Sequence, residues 1–88
     1  MFEWDEAKRA KTIAERGLDF IDAALVFDGR PAVHVPARLG DEDRFLTIAR
    51  IEGKFHTIVW TWRGTNRRIV SFRRSRREEE RAYRQILG

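Results

Sequence analysis

A chain of 88 residues and 10.4 kDa suits a single domain, residues 1–88. Apolar residues make up 42% of it and aromatic ones 11%, which supports one compact core and argues against disorder. No apolar run approaches the ~18–20 residues of a membrane span. The opening MFEWDEAK has no apolar signal-peptide segment, and the lack of cysteine removes disulfides and thiolate metal sites. The expectation is a small soluble domain of the cytoplasm, without membrane contact.

The net charge of +4 hides an asymmetry. Residues 1–62 hold nine Lys/Arg against eleven Asp/Glu, or −2, whereas residues 63–88 hold nine Arg against three Glu, or +6. Fifteen of the eighteen basic residues are arginine, whose planar donor fork suits phosphate and carboxylate. A positive block at one end points to a polyanion or an acidic protein partner. A solvated basic face is the plainer alternative.

In chain order, Phe2-Glu3-Trp4 alternates as a short edge strand does. Asp5 is placed to cap a first helix, in which Ala7, Ala10, Ile13 and Ala14 recur at helical spacing and Gly17 supplies the stop. Asp19 caps a short second helix with Phe20, Ala23, Ala24 and Phe27 on one stripe. Pro31 and Pro36 bracket Ala-Val-His-Val, an edge strand. Residues 44–52 and 54–62 read as a hairpin through Glu52-Gly53-Lys54, and 67–74 form a third long strand after the turn 63–66. Ser75 is then placed to cap a last helix, with Glu78 completing a capping box.

The pattern predicts an α+β fold of order β-α-α-β-β-β-β-α: an antiparallel β-sheet with two N-terminal helices and one C-terminal helix, all packed on one face. If Trp62 opposes Arg67, regular pairing sets Trp60 against Ile69, Ile58 against Ser71 and His56 against Arg73. The other face then pairs Thr61 with Arg68, Val59 with Val70, Thr57 with Phe72 and Phe55 with Arg74. Both faces mix apolar and basic groups, so alternation does not decide which is core.

His34 and His56 have no carboxylate or second histidine at ligand spacing, so a metal centre has no support and no cofactor is expected. No glycine-rich phosphate loop or nucleophile elbow is present. The constellation that stands out runs from Arg63 to Tyr83. Cleaving RNA without a metal needs a base for the 2′-hydroxyl, cations for the phosphorane and an acid for the leaving oxygen. Arginines converging on one phosphate supply the cations, and His56, Glu79 and Tyr83 are the acid–base candidates. Glu79 and Tyr83, four apart, share a helix face, where plain packing is the competing role. Trp62, beside Arg63, is a candidate base-stacking residue, whereas Trp4 and Trp60 suit the core better.

Phe2-Glu3-Trp4-Asp5 with Lys8, Gly17-Leu18-Asp19-Phe20 with Ala23 and Phe27, and Asp43-Arg44-Phe45 through Ile48 together resemble the BrnT-type toxins. So does the end of the chain, Arg68-Ile69-Val70-Ser71-Phe72-Arg73-Arg74 followed by Arg77, Glu79 and Tyr83. The resemblance covers nearly the whole chain. It implies a RelE-like ribonuclease fold and an endoribonuclease toxin of a type II toxin–antitoxin pair that blocks translation by cutting RNA. It also implies a BrnA-like antitoxin as partner, with DNA contacted only indirectly through that antitoxin. By similarity Arg68, Ser71, Arg73, Arg74, Glu79 and Tyr83 fall on the family's C-terminal motif. With His56 they form the expected catalytic set, and Arg63, Arg67, Arg76, Arg77 and Trp62 the expected RNA-binding set. One departure stands at the end of the first helix, where the family often reads Lys-His-Gly and this chain reads Glu15-Arg16-Gly17. If that histidine serves catalysis, Arg16 contributes only charge. A non-catalytic RNA- or protein-binding module on the same scaffold is the alternative.

Overall fold

The computed structural model describes residues 1–88, apart from the side chain of Leu39. Its elements are β1 (Phe2–Trp4), α1 (Glu6–Arg16), α2 (Phe20–Leu25), β2 (Ala32–Leu39), β3 (Glu42–Ile51), β4 (Lys54–Arg63), β5 (Asn66–Arg74) and α3 (Arg77–Leu87). They follow the α+β order predicted. The strands form one sheet ordered β1-β5-β4-β3-β2, in which β2 to β5 are an antiparallel meander. β1 pairs in parallel with β5, Phe2 beside Arg67 and Trp4 beside Ile69. No hairpin dictates its direction, because two helices and three strands intervene before β5. β2 runs on through Pro36, which is tolerated because this is an edge strand.

The helices lie on both faces of the sheet, not on one. Phe20, Ala23 and Val26 of the α2 region pack on Ala49, Ile58, Trp60, Ile69 and Phe72. On the opposite face, Val33, Ile48 and Phe55 form a second cluster closed by Tyr83 of α3. The strands are apolar in both parities, so each face needs its own cover.

Regular pairing holds from Trp62–Arg67 through Trp60–Ile69 and then breaks. Val59 pairs with Ser71, so Val70 is bulged out and the remaining partners shift by one. Ile58 therefore faces Phe72 and not Ser71, Thr57 faces Arg73 and not Phe72, and His56 faces Arg74 and not Arg73. The shift brings two apolar side chains, Ile58 and Phe72, together in the core.

Helix α1 begins as predicted, with the Asp5 carboxylate accepting from the Ala7 and Lys8 amides, and ends at Gly17 with φ 67°. Its apolar positions are nevertheless unburied, since no α1 residue is buried. Polar ties hold it: the Arg9 guanidinium donates to both oxygens of Asp19, at 2.8 and 3.1 Å, and Arg16 reaches β5. Asp19 also caps α2 through the Ile21 amide.

The last helix starts one residue later than Ser75 predicts. The Ser75 N–H donates to the Phe55 carbonyl at 3.0 Å, so that residue is still tied to β4. Arg76 takes the extended N-cap backbone, and Glu79, rather than Glu78, reaches back to accept from the Arg76 N–H at 2.7 Å.

Candidate functional site: a basic cleft at the end of the sheet

A cleft of about 740 Å³ opens where the end of α1, α2, the β3–β4 turn and the end of β5 meet. Arg16, Arg30, Lys54, Arg73 and Arg74 line it against only two carboxylates, Asp22 and Glu52, and His56 sits in its wall beside Phe72. Two left-handed residues, Glu52 (φ 52°) and Gly53 (φ 77°), make the tight turn that sets Lys54 at its rim. At the other side the left-handed Gly17 ends α1 with Arg16 facing the same space.

His56 is 5% exposed. Its Nδ1 lies 2.9 Å from the Lys54 carbonyl, which can only accept, so Nδ1 carries the proton and Nε2 keeps its lone pair. Burial lowers its pKa below the ordinary histidine value, opposed by that hydrogen bond and reinforced by the charges of Arg74 and Lys54. The result is a neutral imidazole, with one basic nitrogen, in a field of cations.

Three of those cations have donors to spare. Arg74 uses Nε on the Phe55 carbonyl (3.2 Å), and Arg16 uses one terminal nitrogen on the Phe72 carbonyl (2.9 Å), on the β5 edge beyond the reach of β1. Among the described residues, their other nitrogens and the Lys54 ammonium make no hydrogen bond, which leaves them available to an anion. Arg30 is largely committed to Asp28, at 2.8 and 3.0 Å.

Arg73 is held differently. Its two terminal nitrogens bind the two Glu79 oxygens at 2.8 and 2.9 Å. Glu79 is 8% exposed and also accepts from the Thr57 hydroxyl (3.0 Å) and the Arg76 amide (2.7 Å). Burial alone would push its carboxyl up, but the Arg73 fork and these two donors outweigh it and hold the pKa at about 2. Thr57 in turn lies 2.8 Å from the Ser75 hydroxyl. The network clamps the end of β5 to the start of α3, and Glu79 is an anion throughout the neutral range.

The other sequence candidates are dispersed. Tyr83 is 6% exposed and stacks edge-on against Phe55 in the second core, with Arg50 over its ring. Arg68 binds Glu3 at 2.7 Å, and Arg63 lies 3.6 Å from Glu42. Ser71 lines a small separate groove with Lys8, Lys11 and Arg16. Arg67 lies within 4.5–5.1 Å of the rings of Phe27, Trp60 and Trp62, with its Nε buried and unpaired. Trp62 is 47% exposed but stands six residues along β4 from His56, roughly 20 Å away. Arg76 and Arg77 stand exposed at the start of α3.

The site thus brings His56 and Arg74 together, with Arg73 at its border but committed to Glu79, and adds Arg16, Arg30 and Lys54, which the sequence did not single out for it. For Lys54 the signal was present, since it precedes His56 by two on the same strand and so shares its face. For Arg16 the only pointer was its place at the departure from the family pattern. Among the described residues, no three His, Asp or Glu side chains gather as metal ligands.

No curated protein matches the sequence. Residues 4–79 match the family described as the ribonuclease toxin, BrnT, of type II toxin–antitoxin systems, a span that runs from the end of β1 through Glu79 and stops short of Tyr83. With 76 of 88 residues inside that match, the chain belongs to the BrnT family: it is the ribonuclease toxin of a type II pair, with RNA as its substrate and a protein antitoxin as its partner.

Proposed function

We propose that the cleft cleaves RNA without a metal ion, that this cleavage halts translation in the cytoplasm, and that the partner is a BrnA-like antitoxin. The observation that carries the reading is a neutral His56 with a free Nε2, set among Arg16, Lys54 and Arg74. In this reaction Nε2 takes the proton of a 2′-hydroxyl, whose oxygen attacks the adjacent phosphorus. The bond from phosphorus to the 5′-oxygen breaks, leaving a 2′,3′-cyclic phosphate, and the departing oxygen takes a proton from solvent water at the open mouth of the cleft. The free donors of Arg74, Arg16 and Lys54 neutralise charge on the phosphorane, the role a metal fills elsewhere. Arg73, bound through both terminal nitrogens to Glu79, ties the end of β5 to the start of α3 behind the cleft. Arg68, Ser71 and Tyr83 support the sheet and α3 in this scheme, and Arg76 and Arg77 guide the RNA backbone.

Incubating the purified protein with total RNA in EDTA tests the reading. Cleavage that survives chelation, leaves cyclic phosphate ends and disappears in His56→Gln is the expected result. A salt-sensitive RNA shift with no cleavage would make the protein a binding module instead.

A further inference from the structure

Cleavage in the cleft leaves a second groove unused. About 260 Å³ in volume, it runs between α1 and the outer edge of β5, with Lys8, Lys11, Thr12 and Arg16 on the helix side and Val70 and Ser71 on the strand side. Two features of the fold open it. β1 pairs with β5 only as far as Ile69, so the edge has no strand partner from the bulged Val70 onward. Helix α1 buries none of its residues and is tied down at Arg9 and Arg16, so it does not close over that edge. Lys8, Lys11, Thr12 and Glu15 recur every three or four residues, which turns one helix face to the groove. Three cations there meet one carboxylate. Glu15 holds Lys11 loosely at 3.8 Å, and the Lys8 ammonium makes no ion pair among the described residues. Arg16 lines groove and cleft alike, so the two join in one basic track. Along the helix, Lys8 lies ~12 Å beyond Arg16, which carries the track past a single phosphate. The lining also points to the ligand. It has no aromatic ring on which a base could stack, and only Val70 for an apolar partner to cover. Ammonium groups beside the Thr12 and Ser71 hydroxyls suit the phosphates and ribose of RNA.

We propose that the α1–β5 groove is a second RNA subsite, which grips the backbone beside the phosphate being cut. The proposal rests on the ribonuclease-toxin reading. Such a subsite favours long RNA over short whatever the sequence, because phosphate contacts carry no base information. A dinucleotide holds only the phosphate to be cut and fills the cleft alone. A longer strand lays its next phosphates across Arg16 onto Lys11 and Lys8.

Lys8→Gln combined with Lys11→Gln tests it, since both positions are exposed and Gln keeps the helix propensity. Arg38→Gln combined with Arg81→Gln removes the same charge from exposed positions on β2 and α3. Cleavage is compared on a dinucleotide and on an RNA of about ten nucleotides, within the span of single-strand sites. Wild type should favour the longer RNA, and the lysine variant should lose about tenfold of that preference through KM, the scale of two phosphate contacts. The arginine variant should keep it. An unchanged preference in the lysine variant would overturn the proposal, and so would an equal loss in the arginine variant. Binding of a 2′-O-methyl oligonucleotide, which cannot be cut, is then followed against salt. The slope of log Kd on log salt should be shallower by about 1.4 in the lysine variant, or about 0.7 for each lost phosphate contact. An unchanged slope with weakened antitoxin binding would give the groove to the protein partner and overturn the proposal. A wild-type protein that cuts no RNA would strike the ribonuclease reading alone, and the salt slope would still decide the groove.

Discussion

His56 stands across the sheet from Arg74 because Val70 is bulged out of the β4–β5 ladder. The bulge sends two consecutive arginines to different tasks. Arg74 joins the imidazole at the cleft, with only its Nε committed. Arg73 pairs with Thr57 on the other face, where both terminal nitrogens bind Glu79. A bulge beside a site is a common way to re-aim a side chain.

The two arginines should therefore fail differently. Arg74→Ala is expected to lower the rate of RNA cleavage by about 100-fold, the scale of losing one charge-stabilising donor set, with the melting temperature unchanged. Arg73→Ala should instead cost about 3 kcal/mol of stability or more, because it leaves the Glu79 carboxylate buried without its partner. Thermal melts alongside single-turnover cleavage distinguish them. Equal melting losses in both variants would show that the division of labour is wrong.

Acid should weaken the fold through Glu79. Its folded pKa of about 2 lies below the ordinary value of 4.5, so its contribution is complete above the unfolded pKa and is lost as the pH falls from there toward 2. Urea midpoints measured from pH 6 down to pH 2 should fall through that window in wild type and fall less in Glu79→Gln. Parallel curves would mean that other carboxylates dominate the acid transition.

Cleavage should gain with rising pH as His56 loses its proton. Burial depresses its pKa, so the acid limb of kcat/KM is expected to have its midpoint below the ordinary histidine value. The limb should vanish in His56→Gln along with most of the activity. A midpoint above the ordinary value would contradict a neutral, desolvated imidazole.

Arg67 tests packing against RNA binding. Held among Phe27, Trp60 and Trp62, it should lose about 1–2 kcal/mol of stability on change to Ala, the range of partly desolvated cation–π contacts. Cleavage per folded molecule is expected to stay normal. A large rise in KM at unchanged stability would return Arg67 and its neighbour Trp62 to the RNA path.

Local chemistry was enough to place most elements. Asp5, Gly17 and Asp19 mark helix ends because capping and left-handed turns are properties of a few consecutive residues, and α1 begins and ends, and α2 begins, where those residues stand, whereas α2 stops at Leu25, short of the Phe27 expected on its stripe. The long strands and the Glu52-Gly53 turn were legible for the same reason. The arginine block and His56 were visible as residue types suited to RNA, and the family likeness lay in their order along the chain. Three-dimensional structure alone decided how they are shared out. Alternation cannot reveal that Val70 is skipped, so it set His56 against the wrong arginine. Nor can it show that both sheet faces are covered, which removes Tyr83 into a core that Phe55 and Ile48 demand. Ser75 has the right chemistry for a cap, yet its N–H is held by Phe55 across the sheet, so the helix waits for Arg76. Arg16 and Lys54, 38 positions apart in sequence, become neighbours in one cleft only because α1 and the β3–β4 turn meet there. Caps and turns are short-range and written locally, whereas a shared basic cleft is a product of long-range packing.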